Sequence, residues 1–313
     1  MAELTAARYG KDKVRIFRVV RSVKGDPQAW HDVVEYNVKA LLEGDIAASY
    51  TKADNSVVVA TDSIKNTCNV FAKTSPHVLH PEQFALDLGV HFVTTYAHIH
   101  KAFIDIEQLK WSRITVSKDG QPHRHSFVRD GDEKRLTSVE VDATKGKNAI
   151  TAKVTSGLSG LLVLKSGGSA FEGFVRDEWT TLVEVDDRIF STEVDLSYTF
   201  ALPVEALTAA GIAALQDKVG FDKASESAKQ ITLDLFATDE SASVQATLFK
   251  MCSEIIAASP SVESVSYRLP NKHYIPVDLG FKGLANLKPV DAEVFCPVAA
   301  PSGLITATVS RKH

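Results

Sequence analysis

The feature that most constrains this chain is a doubled order of elements. β-rich segments, helices and further β-rich segments follow one another up to about residue 147, and the same plan runs again to the end. Residues 13–22 (KVRIFRVVRS) and 29–41 alternate as two strands about a turn at Gly25-Asp26-Pro27. Residues 57–60 (VVVA) form a short buried strand, and Thr61-Asp62 supplies a helix N-cap. Pro81 opens a longer helix whose Phe84, Leu88, Phe92, Tyr96, Ile99 and Phe103 recur at steps of three or four. Strands are expected at 103–116 and 123–129, joined by a hairpin at Lys118-Asp119-Gly120. In the second half, strands are expected at 149–155, 160–165 and 192–202, then helices at 203–217, 223–237 and 241–258. The last helix buries Val244, Leu248, Met251 and Ile255, and strands return at 262–268, 273–279, 292–297 and 303–310.

The repeat is one of pattern, without residue-level identity. It reads as two α+β halves of antiparallel strands and grouped helices, 1–147 and 148–313, divided near Lys145-Gly146-Lys147. Strands this numerous must hide their edges, by closing into a barrel or by pairing with other subunits.

Bulk properties narrow the functional classes. A hydrophobic content of 44% supports substantial cores, and a net charge of −4 with mixed signs gives no basic face for nucleic acid. Cys68, Cys252 and Cys296 are odd in number and widely spaced, which fits neither a disulfide framework nor a CxxC metal pair. No apolar run is long enough to span a bilayer, and the first residues, Met1 to Thr5, do not resemble a secretory signal. A soluble intracellular protein is expected.

Several segments then resemble one family closely. They are RYGK at 8–11, SYTKADNS at 49–56, ATDSIKNT at 60–67, HSF at 125–127, LVLKS at 162–166 and FEGFVRDEWTTL at 171–182. DRI at 187–189, SASVQAT at 241–247, LPNKHY at 269–274 and the closing GLITATVSRK continue the match in order. Through them the chain resembles the urate oxidases. That resemblance implies two tandem tunnelling-fold (T-fold) domains, each a four-stranded antiparallel sheet with two helices on its outer face. It implies homotetramers around a tunnel, with active sites at subunit interfaces and neither metal nor organic cofactor. The implied reaction oxidises uric acid with molecular oxygen and water to 5-hydroxyisourate and hydrogen peroxide. A peroxisomal location is implied as well. The family's Ser-Lys-Leu-like ending is replaced here by Ser310-Arg311-Lys312-His313, which leaves a cytoplasmic location as the other expectation.

Individual residues suit that chemistry. Arg188 offers a guanidinium fork for a planar anionic edge, although a lone arginine more commonly pairs on the surface, here with Asp186 or Asp187. Gln245 carries both donors and an acceptor for a purine edge, against the plain reading of a solvated helix residue. Phe171, otherwise an ordinary core aromatic, can stack on the ring. By resemblance these three bind substrate with Thr61, Asp62 and Val244, and Leu182 lines the same pocket. Lys11, Thr61 and His273 form the implied proton relay. Taken singly, they read as an exposed lysine, a helix cap and a structural histidine. Asn271 offers an amide to oxygen or to the attacking water. Resemblance places Lys11 and Thr61 in one subunit and Phe171, Arg188, Gln245, Asn271 and His273 in its neighbour. Val185 and Phe190 depart from the family pattern around Arg188, and residues 203–222 match it poorly.

Three competing readings remain. A metal enzyme would draw on His98 and His100 or on His123 and His125, but no HExxH motif supports it. A pterin-handling T-fold relative would need a gripping glutamate and zinc ligands that the sequence does not offer. A silent purine-binding relative conflicts with the intact Lys11, Thr61 and His273.

Overall fold

The computed structural model describes residues 2–202 and 207–313. Its first compact unit comprises the chain to Gly157 together with Thr199–Lys223, and its second Leu158–Tyr198 with Ala224–His313. The boundary read from sequence, 147/148, lies inside the first unit.

The chain runs β1 (Tyr9–Arg21), β2 (His31–Gly44), α1 (Ala47–Thr51), α2 (Thr61–Thr74), α3 (Pro81–Thr95), β3 (Ile99–Leu109), β4 (Ser112–Val116), β5 (Gln121–Val128) and β6 (Lys134–Asp142). It continues with β7 (Thr151–Lys165), β8 (Phe190–Phe200), α4 (Ala209–Val219), α5 (Phe221–Thr238), α6 (Val244–Ala258), β9 (Val262–Pro276) and β10 (Phe295–Ser310). Strand order is β1-β2-β3-β6 in the first unit and β7-β8-β9-β10 in the second, which holds β7 from Leu158 onwards and β8 as far as Tyr198, with β4-β5 a separate hairpin. Every neighbour pair whose register is defined is antiparallel. This is the expected α+β plan.

In the first unit, β2 buries its even residues, Val34, Tyr36, Val38, Ala40 and Leu42, as a one-sided strand must. Helix α2 packs on β1, and α3 packs on β3 and β6. Phe84, Leu88 and Phe92 of α3 are fully buried, each worth about 1.5–3 kcal/mol of apolar transfer. Tyr36 stacks on Phe84 at 5.8 Å and donates its hydroxyl to the Val78 carbonyl at 2.7 Å. In the second unit, α6 packs on β9 and β10 and buries the expected Val244, Leu248, Met251 and Ile255.

Several boundaries differ from expectation. The apolar steps through Tyr96, Ile99 and Phe103 do not prolong α3. The helix ends at Thr95, and Ile99 starts a strand whose ladder with β2 outweighs the helical spacing. Residues 57–60 are not a strand, since Asn55–Val57 form a 3-10 turn and the next residues join no ladder. Strand β6 was not anticipated, although Thr137, Val139 and Val141 alternate inward. The paired segments expected at 149–165, 262–279 and 292–310 each form one long strand. LPNKHY is thus mid-strand despite its proline, with Pro270 opposite Leu304. Residues 203–206 of the helix expected at 203–217 lie outside the described residues. Helix α4 starts at Ala209, and Thr208 caps it by accepting the Gly211 amide at 3.0 Å.

Two irregularities in the ladders bear on the site. Lys11 opposes Ala40 but Val14 opposes Val38, so β1 carries one residue more than its partner between them. Opposed residues share a face. The extra residue therefore puts Tyr9 and Lys11 on the buried face of Val14 and Ile16, where strict alternation would have put Gly10 and Asp12. Lys13, at φ 54°, takes up the turn of the chain, and the Asp12 carboxylate accepts its amide at 2.8 Å. On β10 the ladder breaks between Val298, opposite His273, and Gly303, opposite Asn271.

Candidate active site

The residues singled out from sequence sort into two groups, one in each unit. In the first, the YGK segment opens β1. A Cβ at Gly10 would run into the Ala40 carbonyl, so only glycine lets the backbones approach there. Lys11 is half-buried and makes no ion pair among the described residues. Thr61 is the first residue of α2, but the N-cap is Ala60, which has no side-chain cap bond. The capping role that composition suggested for Thr61 is therefore not the one it plays. Its hydroxyl is exposed and without a partner among the described residues. Asp62 accepts Lys65 Nζ at 2.6 Å and Asn66 Nδ2 at 2.9 Å. The bond from Lys65, aided by the charge of Lys11, holds its carboxyl below the usual range.

The second group surrounds a cavity of about 380 Å³, within the range of small-molecule sites. Arg188, Asn271, His273 and Leu182 line it, with Tyr274, Leu287 and Phe295. The Arg188 guanidinium lies 5.0 Å from the Phe171 ring centroid, and Phe171 stacks on Phe174 at the same distance. Arg188 Nε is buried and finds no acceptor among the described residues. Burial also lowers the pKa of this guanidinium, which nevertheless stays a cation. A half-buried cation with an unsatisfied Nε, set on an aromatic face, suits a flat anion.

Local structure explains how these side chains are held. Phe171 and Val185 exchange backbone hydrogen bonds of 2.8 and 3.2 Å. The Asp187 carboxylate accepts the Gly168 amide at 2.6 Å, and Gly167 presses so close that its Cβ would lie 3.0 Å from Asp187 Oδ2. Ser241 ties this turn to the start of α6, accepting the Ala170 amide at 2.9 Å. Helix α6 is capped by Ser243, which accepts the Ala246 amide at 3.1 Å. Gln245 follows in its first turn, exposed, while Val244 is buried in the core. Neither Val244, Gln245 nor Phe171 lines the cavity wall itself.

Sequence reasoning passed over three contributors. Asp187 entered only as a surface partner for Arg188, yet it fixes the Phe171 turn. Asn286 is buried, donates to the Val277 and Val294 carbonyls and accepts the Glu293 and Val294 amides. It thereby shapes the loop that brings Leu287 and Phe295 to the cavity, and no motif signals it. Tyr9 stood inside the quoted RYGK but was given no role.

The histidine pairs have other occupations. His98 and His100 are not on a helix, and His100 pairs with Asp45 at 2.9 Å. His123 and His125 lie on β5 with ring centroids 4.6 Å apart, and His31 lies 5.6 Å from His125. Among the described residues, no group of three or more His, Cys, Asp or Glu side chains is arranged to hold a metal ion.

Antiparallel α+β units define a tunnelling-fold protein, and its cationic, aromatic-backed cavity has the chemistry to hold a planar anion. The family model described as Uricase matches residues 7–140 and 154–306. A uricase of Emericella nidulans is 49% identical over all of this chain and 98% of its own length, and one of Aspergillus flavus is 48% identical over 99% and 98%. The crystal structure of uricase from Arthrobacter globiformis superposes with a TM-score of 0.84 at 33% identity, covering 100% of this chain and 96% of that one. The chain belongs to the uricase family.

Proposed function

We propose that this chain binds urate against Arg188 and Phe171 and oxidises it with molecular oxygen and water to 5-hydroxyisourate and hydrogen peroxide. The observation that carries the reading is the Arg188 guanidinium, with its buried unpartnered Nε, beside Phe171 at the cavity that Asn271 and His273 also line. The guanidinium fork takes one edge of the purine dione, the Gln245 carboxamide takes the neighbouring edge, and Phe171 stacks on the ring. Thr61 and Asp62 complete the substrate's surroundings and Val244 backs them. Lys11, Thr61 and His273 pass protons between urate, oxygen and water, and Asn271 holds the oxygen or the attacking water above the ring. The reading needs no metal and no organic cofactor.

Halves 1–147 and 148–313 each correspond to one T-fold domain in this reading. β1 and β10 each have a single neighbouring strand among the described residues, which leaves edges for other subunits to cover. A homotetramer closed around a tunnel, with Lys11 and Thr61 facing the Arg188 group of a neighbouring copy, satisfies both the edges and the chemistry. Peroxisomal residence accords with handling of the peroxide product. No helix of the described residues is long and apolar enough to cross a membrane.

The test follows urate absorbance in air on chelator-treated protein, with peroxide measured in parallel. Urate loss matched by peroxide is expected, and Lys11→Ala should keep urate binding while losing most of the rate. Saturable binding with no urate loss would overturn the oxidase reading. Absence of binding would overturn the site itself.

A further inference from the structure

The hydroxyl of Tyr9 joins the strand that carries Lys11 to the segment that delivers Thr61. Val59 is 6% exposed, and its amide donates to the Tyr9 phenol oxygen at 2.7 Å. Val59 stands two residues before Thr61, in a stretch that belongs to no ladder. Ala60, the N-cap of α2, contributes no side-chain cap bond. Entry into the helix is therefore fixed from outside, by a side chain of β1. Tyr9 and Lys11, two residues apart in a regular stretch of β1, share a face, and the extra residue beyond Lys11 makes it the buried face of Val14 and Ile16. One phenol thus ties the strand that carries Lys11 to the segment that precedes Thr61, fifty residues further along the sequence. Tyr50, another phenol nearby, donates instead to the Arg8 carbonyl, at 3.3 Å.

We propose that Tyr9 is a positioning residue for the Lys11–Thr61 pair, an assignment that rests on the relay reading above. The phenol touches neither substrate nor the reacting atoms. It holds the start of α2 against β1, so that the Thr61 hydroxyl stays within reach of Lys11. Displacement of relay partners by a fraction of an ångström to one ångström costs about 10- to 100-fold in rate.

The experiment compares Tyr9→Phe, Thr61→Ala, Lys11→Ala and the Tyr9→Phe/Thr61→Ala double variant by single-turnover urate decay, with Tyr50→Phe as control. Tyr9→Phe should lower the rate about 10-fold or more, move the pH profile along the pH axis and add less than about twofold once Thr61 is gone. Tyr50→Phe should match the parent protein. Val59→Pro removes the donor while keeping Tyr9, and Val58, at φ −106° and ψ 115°, already has the backbone a following proline needs. It should reproduce Tyr9→Phe and serves where that variant folds poorly. Equal losses in both Thr61 backgrounds, with an unmoved pH profile, would reduce Tyr9 to a stability residue and overturn the proposal. An unimpaired Tyr9→Phe beside crippled Lys11→Ala and Thr61→Ala would overturn it while sparing the relay. Parental rates in Lys11→Ala and Thr61→Ala would remove the relay reading, and this assignment with it.

Discussion

Asp187 directs its carboxylate onto the amide of Gly168, at 2.6 Å, and makes no ion pair with the adjacent Arg188 among the described residues. The surface pairing that an arginine beside two aspartates suggests is thus replaced by a division of labour. One residue secures the turn that leads to Phe171, and the other is left free to face the cavity.

Asp187→Ala should therefore loosen Phe171 without touching ligand. Loss of a charge-assisted bond is worth about 1.5–3 kcal/mol, so KM for urate should rise about 10-fold or more, with a smaller change in kcat. Asp187→Asn keeps an acceptor oxygen and should lie closer to the parent. Steady-state kinetics check both, and an unchanged KM in Asp187→Ala would detach the turn from binding.

Arg188→Lys removes the planar fork but keeps the charge. A lysine cannot bond two atoms of a flat edge or stack in the same way. KM should rise about 10- to 100-fold, an effect of about 1.5–3 kcal/mol. Titration calorimetry with urate under nitrogen would show whether that loss is one of binding.

These two residues illustrate what the sequence conveyed and what it withheld. Arg188, Asn271 and His273 were legible because their flanks match a known family, and the structure gathers them on one cavity wall. Asp187 and Asn286 were not, because their work is to bond backbone amides distant in sequence, which leaves no periodic or spacing signal. The α6 stripe was legible because its helical period ends at a capped boundary. The extension of α3 through Ile99 and Phe103 failed because three- and four-residue steps also occur by chance in a strand, and only pairing with β2 decides between them. LPNKHY read as an interruption because proline and asparagine favour turns, yet strand β9 runs through it.

Buried charge in the first unit offers a prediction about stability. Glu82 is fully buried and accepts Arg135 Nη2 at 2.8 Å, Ser156 Oγ at 2.6 Å and Thr137 Oγ1 at 3.3 Å. Glu82→Leu would leave Arg135 its bond to Asp222, at 2.7 Å, but would take the acceptor from Ser156 and Thr137, at a cost of about 1–3 kcal/mol. Urea unfolding should show a clearly lowered midpoint, and an unchanged one would mean the network contributes little.

The same network sets a pH dependence. His80 Nδ1 lies 2.5 Å from Asp222, and that hydrogen bond raises the imidazole above its ordinary range despite burial. A raised folded value stabilises the protein fully below about pH 6.5, the unfolded value, and the contribution disappears as pH climbs through the folded one. Burial opposes ionisation of Asp222, but His80 and Arg135 overcome it and hold the carboxyl at about 2. Its contribution persists above the unfolded value of 3.8 and fades as pH falls towards 2. The Tm gap between the parent and His80→Gln should therefore be widest between about pH 4 and 6.5 and narrow towards alkaline pH. A gap independent of pH would show that the imidazolium charge plays no part.

The extra residue in β1 makes the length of that strand as informative as its composition. Removing Lys13 would leave every remaining side chain unchanged and give β1 an uninterrupted ladder with β2, a more regular sheet by any structural measure. Alternation would then run Val14, Asp12, Lys11, Gly10, Tyr9, so Tyr9 and Lys11 would keep the face of Val14, whereas a straightened ladder that retained Lys13 would turn them to the opposite side of the sheet. A one-residue deletion at this point is therefore expected to spare the facing of the site, whereas a change that straightens the strand at its present length would destroy it with every residue associated with function still in place.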